Sequence, residues 1–461
     1  MIPWSNSQYC AVGEAPRGSA WEVTSRRFGM KRLSIFVSLF AIVAFGAFAS
    51  GSGEQGSAKA APITMWMQNY GNDLNTQQKA MADLAGKFEA ETGIKVNVEV
   101  GNWSEASKKW LLVATGGDHP DVGDMWWAWS NVQIGKGKFG PMPLDQYKDQ
   151  LHLDNFYPAA LADVTYDGHI YGIPWRIDVR PMLFRVDLVQ QAGLPGPPAT
   201  WQDLVTYGQK LTQKNGDGSI SLSGIGFHYG IKSDSQDILH WLWQGGAEAT
   251  TPDGKTATLN SKQAVDSMQF VRDLVYKYGV VSKDILDPSY DGMQLFLAGK
   301  IAIQPHGTSS VTDMPKEMVP KIKPAIPTMG VRRTAYSGAG YFGVLYGSQH
   351  VAESVKWLSF LSRDENMLAL AQMSQQYSPS KGASNSDYFV ADTWKAEVIK
   401  TLPFAHTSQN PSTAWSQIAG RGPGSPLYDY WANVLLNQQP IQKIADTVNA
   451  AAQVMIDRAN N

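Results

Sequence analysis

The stretch ITMWMQNYGNDLNTQQKAMADLAGKFEAETGIKVNVEV, residues 63–100, changes its period twice. Ile63 to Met67 is a short apolar strand, and the polar residues Gln68, Asn69, Gly71, Asn72 and Asp73 follow it. Met81, Leu84, Ala85 and Phe88 then recur at helical spacing on one face, and Gly93 stops the helix. From Ile94 the pattern alternates: Ile94, Val96, Val98 and Val100 against Lys95, Asn97 and Glu99, as in a half-buried strand. Strand, helix, strand is an α/β unit, and parallel sheets are its expected product.

The same grammar recurs downstream. A helix is expected over 106–115, then a turn at Gly116-Gly117-Asp118-His119-Pro120 and a short apolar segment leading to Trp126. Val265, Met268, Val271, Leu274, Val275 and Tyr278 share a helical face, with Ser261 as N-cap and Gly279 as the stop. A short helix over 291–298, a Gly299-Lys300 turn and a strand over 301–303 come next, and 351–361 and 441–456 are the clearest late helices. Asn215-Gly216-Asp217-Gly218 lacks the alternating acids and final Glu of a calcium loop and reads as a hairpin turn. No metal or cofactor is expected.

A chain of 461 residues exceeds what one core usually organises, so two domains are expected. The formal charge is only −2 and no Lys/Arg block stands out, which argues against nucleic acid as a partner. Met30-Lys31-Arg32 precedes an uncharged, largely apolar run to Phe48 that ends in Ala47-Phe48-Ala49, the layout of a cleavable signal peptide over 30–49. The run is short for a membrane anchor. Residues 1–29 read as an over-extended gene start, with a chance Arg26-Arg27 pair, and 50–61 as a flexible Gly/Ser/Ala leader. Losing the five basic and two acidic residues of 1–49 moves the formal charge from −2 to −5. The single cysteine, Cys10, lies before the signal, so no disulfide and no lipid anchor is expected on the mature chain. A soluble, monomeric, periplasmic or extracellular protein is the expectation.

Several short motifs, in order, carry a resemblance. They are Gly117-Asp118-His119-Pro120-Asp121-Val122, Tyr171-Gly172-Ile173-Pro174 with Val186-Asp187-Leu188, Pro198 to Leu204, Gln244-Gly245-Gly246, Phe296 to Ala302 and Val355 to Leu361. Together they look like extracellular solute-binding protein family 1, the carbohydrate-binding group that includes the maltose-binding proteins. The resemblance implies a two-lobed periplasmic binding protein type II fold, α/β in both lobes, with hinge strands and a central ligand cleft. The lobes implied are 62–175 with 337–377 and 176–336 with 378–461. It also implies a carbohydrate ligand and an ABC permease as partners, with no catalysis.

Ligands of open α/β sheets bind beyond the carboxyl ends of strands, where Asn69, Asp73 and Asp124 fall. Sugars offer hydroxyls to polar groups and C–H faces to aromatic rings, so Trp175, Arg176, Asp178 and Arg180 beside the implied hinge make a suitable set. By similarity, Asp178 stands where relatives grip sugar hydroxyls; an Arg-Asp bridge stiffening the hinge is the alternative, and two arginines also admit an anionic sugar. Trp126, Trp127 and Trp129 cannot all face one way if extended; Trp127 is the favoured stacking ring. Trp243 is favoured over Trp241 to reach a loop, with core burial as the alternative for both. Relatives carry Gly-x-Trp where this chain has Gly307-Thr308-Ser309, which weakens transfer of maltose specificity and leaves His306 as a polar substitute. Gly340 and Tyr341 match a glycine-rich loop that approaches ligand in relatives. Trp415 and Arg421 are late cleft candidates, and Tyr428, Tyr430 and Trp431 are expected to pack. An exported glycoside hydrolase would need two carboxylates flanking one bond. Neither a Gly-x-Ser-x-Gly elbow nor a His-Glu-x-x-His motif is present.

Overall fold

Residues 63–100 fold as their periods predict. Strand β1 (Ile63–Gln68), the helix Leu74–Thr92 and β2 (Val96–Gly101) form one unit, with β1 and β2 paired in parallel. The helix starts where Asp73 accepts a hydrogen bond from the Thr76 N–H at 3.0 Å and stops at Gly93, whose φ of 73° is the left-handed turn that glycine adopts without cost. The computed structural model describes residues 62–71, 73–114, 118–126, 140–233, 235–305 and 314–460. The expectations for 1–29, 30–49 and 50–61, for Trp127, and for His306 and 307–309 lie outside the described residues.

The remaining strands are β3 (Val122–Trp126), β4 (Thr165–Tyr166), β5 (His169–Ile170), β6 (Ile173–Val179), β7 (Met182–Arg185), β8 (Gln213–Lys214), β9 (Ile220–Ile225), β10 (Ile301–Pro305), β11 (Ile322–Ala325), β12 (Ala335–Val344) and β13 (Ala405–Thr407). One sheet runs β2-β1-β3-β12, with β6 on the far edge of β12 and β13 beside the start of β12 on the β3 side. The other runs β11-β7-β10-β9-β8, and β4 and β5 form a separate hairpin. Asn215 to Gly218 lie in the turn of the β8–β9 hairpin, with the Asp217 carboxylate accepting from the Ser219 N–H at 2.9 Å.

Parallel pairing holds for β1 with β2 and β3 and for β9 with β10, but β12 runs antiparallel to β3 and β6, and β7 antiparallel to β10 and β11. The all-parallel expectation is therefore corrected: both sheets are mixed. The reason is chain direction. A strand arriving from the other sheet enters at the carboxyl ends of its new neighbours and runs back along them.

Each sheet has its own core. Phe88, Trp357, Ile173, Trp175 and Phe342 pack in the first, and Phe227, Trp241, Met268 and Trp431 in the second. A third cluster belongs to both sheets, joining Ile177, Val179 and Ala335 to Leu183, Ile301 and Ile322 beneath Tyr377, Phe389 and Trp394. It sits where the chain changes sheets: β6 runs into β7 through Arg180 and Pro181 alone, and β12 returns after 326–334. After β13 the chain passes back, and the helices Pro426–Leu436 and Ile441–Asn460 bury Trp431, Leu435, Ile444 and Ile456 in the second core.

Candidate functional site

The site is built on the pairing of β6 with β12. In that ladder Gly340 opposes Arg176 and Gly338 opposes Asp178, so Arg176, Asp178 and Arg180, two residues apart along β6, share a face with the two glycines. The register then skips Trp175, since Tyr341 opposes Pro174; this bulge re-aims Trp175 and Arg176 together toward Tyr70. Gly340 is required by Arg176: a Cβ at position 340 would stand 2.7 Å from Arg176 Nε. At Gly338 the nearest group to such a Cβ is Ser408 Oγ at 3.7 Å. The result is a glycine strip of β12, bare at Gly338 and covered by Arg176 at Gly340, flanked by the β6 charges on one side and Ser408 on the other. Thus Gly338 to Tyr341 form strand, not the loop implied by the resemblance, and only Gly338 is left partly open.

Behind the strip lies a buried polar cluster. Asp124 is fully buried and accepts from Trp175 Nε1 at 2.9 Å and from the Gln68 N–H at 3.2 Å. With its amide oriented to suit its neighbours, Gln68 also donates to Asp124 Oδ2 at 2.6 Å and accepts from Trp110 Nε1 at 3.1 Å. The Arg176 guanidinium lies 4.4 Å from the centre of the Tyr70 ring. Burial raises the Asp124 pKa to about 6, with Arg176 and the hydrogen bonds pulling against it. Burial also lifts the Tyr70 hydroxyl well above its ordinary range. For Arg176 burial works the other way, but Tyr70, Asp124 and Asp178 outweigh it and hold the guanidinium charged. Arg180 closes the row with an ion pair to Asp178 at 3.1 Å.

Other expected site residues have different placements. Asp73 is exposed and caps its helix, so Asp73→Ala should cost about 1 kcal/mol of stability in denaturant unfolding. Trp175 offers no face to a ligand: it is fully buried, stacked on Phe342 at 5.1 Å and met edge-on by Tyr70. Trp243 is 3% exposed and lies flat at 4.2 Å from His406 and 5.6 Å from Tyr336. Those two are register partners on β13 and β12, so Trp243 ties the second core to the first sheet. Tyr341 is buried with Trp110 and Met125, and Trp415 is buried while donating from Nε1 to Ser408 O at 3.0 Å. These aromatic candidates are corrected to packing residues. Arg421 is exposed beyond the helix Trp415–Ile418. Asn69 is half-buried just past β1, and its Oδ1 has no hydrogen-bond partner among the described residues.

The structure brings together Asp124, Arg176, Asp178 and Gly340 from the expected set and adds residues that were not singled out. Tyr70 lies under Arg176, and Trp103, 43% exposed, meets Tyr70 edge-on at 5.1 Å. Both follow carboxyl ends of strands, the same positional signal that pointed to Asn69. A cavity of about 700 Å³ also opens between 162–168, the turn 252–255 and 407–411, lined by Tyr166, Asp253, Lys255, Thr407, Gln409 and Asn410.

The sequence profile of bacterial extracellular solute-binding proteins matches residues 72–368. A chain of Brucella abortus (strain 2308), named as a binding protein, is 26% identical over 375 residues, 79% of this chain and 87% of that one. The maltodextrin-binding protein MdxE of Bacillus subtilis (strain 168) is 24% identical over 350 residues, 73% of this chain and 78% of its own. The structure of the sugar-binding protein MalE of Xanthomonas citri aligns with a TM-score of 0.74 at 17% identity, covering 87% of this chain and 98% of that one. The architecture is thus the two-lobed α/β fold of periplasmic binding proteins. Two mixed sheets bridged by β6 and β12, with a profile match over most of the length, lead to one assignment: the chain belongs to the bacterial extracellular solute-binding protein family.

Proposed function

We propose that this protein is the substrate-binding component of an ABC importer, capturing a neutral sugar or oligosaccharide and releasing it unchanged to the membrane permease. The observation that carries this reading is the glycine strip of β12, bordered by Arg176, Asp178 and Ser408, with the exposed Trp103 ring near its Tyr70 end. Bare backbone lets a flat ring approach closely, while the charged and hydroxyl groups at its edges can meet hydroxyls. Arg180 is paired with Asp178, and Arg176 faces Asp124 and Tyr70, so the positive charge is already matched and a neutral ligand suits the strip better than an anion. The neighbouring cavity gives room for more than one sugar unit.

In this reading 62–175 with 337–377, and 176–336 with 378–461, are the lobes. A ligand touching both lobes only when they approach would shift the population toward the closed form that a permease recognises. The protein would act outside the cytoplasmic membrane after losing its signal segment.

Calorimetric titration with neutral and acidic mono- and oligosaccharides, with each mixture checked for products, tests the reading. One-to-one binding of a neutral sugar without turnover is expected; turnover would indicate a hydrolase. Gly340→Val, which forces Arg176 off the strip, should weaken that binding by at least about tenfold.

A further inference from the structure

Asp163 ends the short helix Pro158–Asp163 and is 2% exposed. On one edge of β12, β13 pairs from Ala335 to Ser337 and β3 from Gly340 to Val344, and among the described residues no strand pairs with Gly338 and Ala339 there. The Asp163 carboxylate stands beside that edge. Its Oδ1 accepts from Thr407 Oγ1, the N–H groups of Ala339 and Gln409 are directed at the carboxylate, and Gln409 Nε2 donates to the Asp163 carbonyl at 2.8 Å.

Yet Asp163 Oδ2 makes no hydrogen bond among the described residues. Ser408 Oγ, 1% exposed and close to Gly338, makes none either, nor does Arg176 Nε over Gly340. Native proteins meet about nine-tenths or more of such buried groups. Here three unmet groups surround the two glycines of one strand, from three different chain segments. Ser408 and Asp163 come from the side of β12 opposite Asp178, so the strip has polar groups on both borders.

We propose that Asp163 and Ser408 form a hydroxyl-binding subsite: Asp163 Oδ2 accepts from, and the Ser408 hydroxyl donates to, adjacent hydroxyls of a sugar ring lying on Gly338, beside the Arg176 side chain that covers Gly340. The subsite rests on the carbohydrate reading above and narrows it. It selects a ring with an unmodified diol at this position.

The test uses the protein purified from an exporting host. Calorimetry against maltotriose, N,N′-diacetylchitobiose, arabinotriose and a digalacturonate identifies the tightest probe. Asp163→Asn keeps the side-chain shape and should weaken that probe about ten- to thirtyfold; Ser408→Ala should weaken it less. Monodeoxy analogues separate contact from packing. For the analogue lacking the contacted hydroxyl, wild type should already be weakened and Asp163→Asn should add little. The subsite is overturned if both variants bind like wild type, or if the Asp163→Asn loss is the same for every deoxy analogue. If wild type binds none of these sugars, the carbohydrate reading fails and the subsite falls with it.

Discussion

Replacing Trp175 by alanine is expected to lower the unfolding free energy by about 5 kcal/mol. Truncating a fully buried Trp costs about 3–5 kcal/mol through lost burial and the cavity left behind. A second cost adds to it, because Asp124 Oδ1 loses its 2.9 Å bond from Trp175 Nε1 deep in the first core. Trp175→Phe separates the two terms: it keeps most of the stacking on Phe342 and should lose about 1.5–3 kcal/mol for the charged hydrogen bond. Urea unfolding of the three proteins measures both. A loss below about 2 kcal/mol for Trp175→Ala would mean that the ring is not the centre of this core.

Stability should fall as pH rises from 5 to 8. Burial, opposed by hydrogen bonds, holds Asp163 at about 7 and Asp124 at about 6, whereas the unfolded carboxyls titrate near 4. In this window the folded protein keeps protons that the unfolded chain has released, so their stabilising effect is present at low pH and is lost as pH rises through the folded values. His240 acts in the opposite sense. Burial, with the Arg180 charge adding to it, pushes its pKa down to about 3, so below the unfolded value of about 6.5 only the unfolded chain takes up the proton. At about 1.4 kcal/mol per pH unit, the two carboxyls favour pH 5 over pH 8 by about 4 kcal/mol and His240 offsets about 2, leaving about 2. Denaturant midpoints at the two pH values check this. Asp163→Asn should abolish or reverse the difference, and a wild-type protein more stable at pH 8 would refute the assignment.

The parts of the fold written in side-chain period were legible. Ile94 to Val100 alternate, and residues 96–101 are a strand; Met81, Leu84, Ala85 and Phe88 share a face, and all four are buried. Strand direction was not legible, because β12 and β7 owe their antiparallel pairing to arrival from the other sheet, which no local pattern records. The hinge constellation at Trp175 to Arg180 was found as a composition, but the roles within it depend on a bulge. Strict alternation would set Trp175 and Arg176 on opposite faces, and only the skipped register brings both to Tyr70. Trp243, Tyr341 and Trp415 looked like ligand rings because Trp and Tyr suit both sugar faces and cores, and in each case burial decided for the core. Asp163 and Ser408 carried no signal: each is an ordinary polar residue, and both acquire meaning only from their places beside β12, which bring together residues far apart in the chain.

A crystal structure of the protein with its tightest-binding sugar tests the central claim most directly. The account predicts a pyranose ring lying on Gly338, with hydroxyls in hydrogen-bond contact with Asp178 or Arg176 on one border and with Asp163 and Ser408 on the other. A sugar bound elsewhere, with the β12 strip covered only by water, would contradict it.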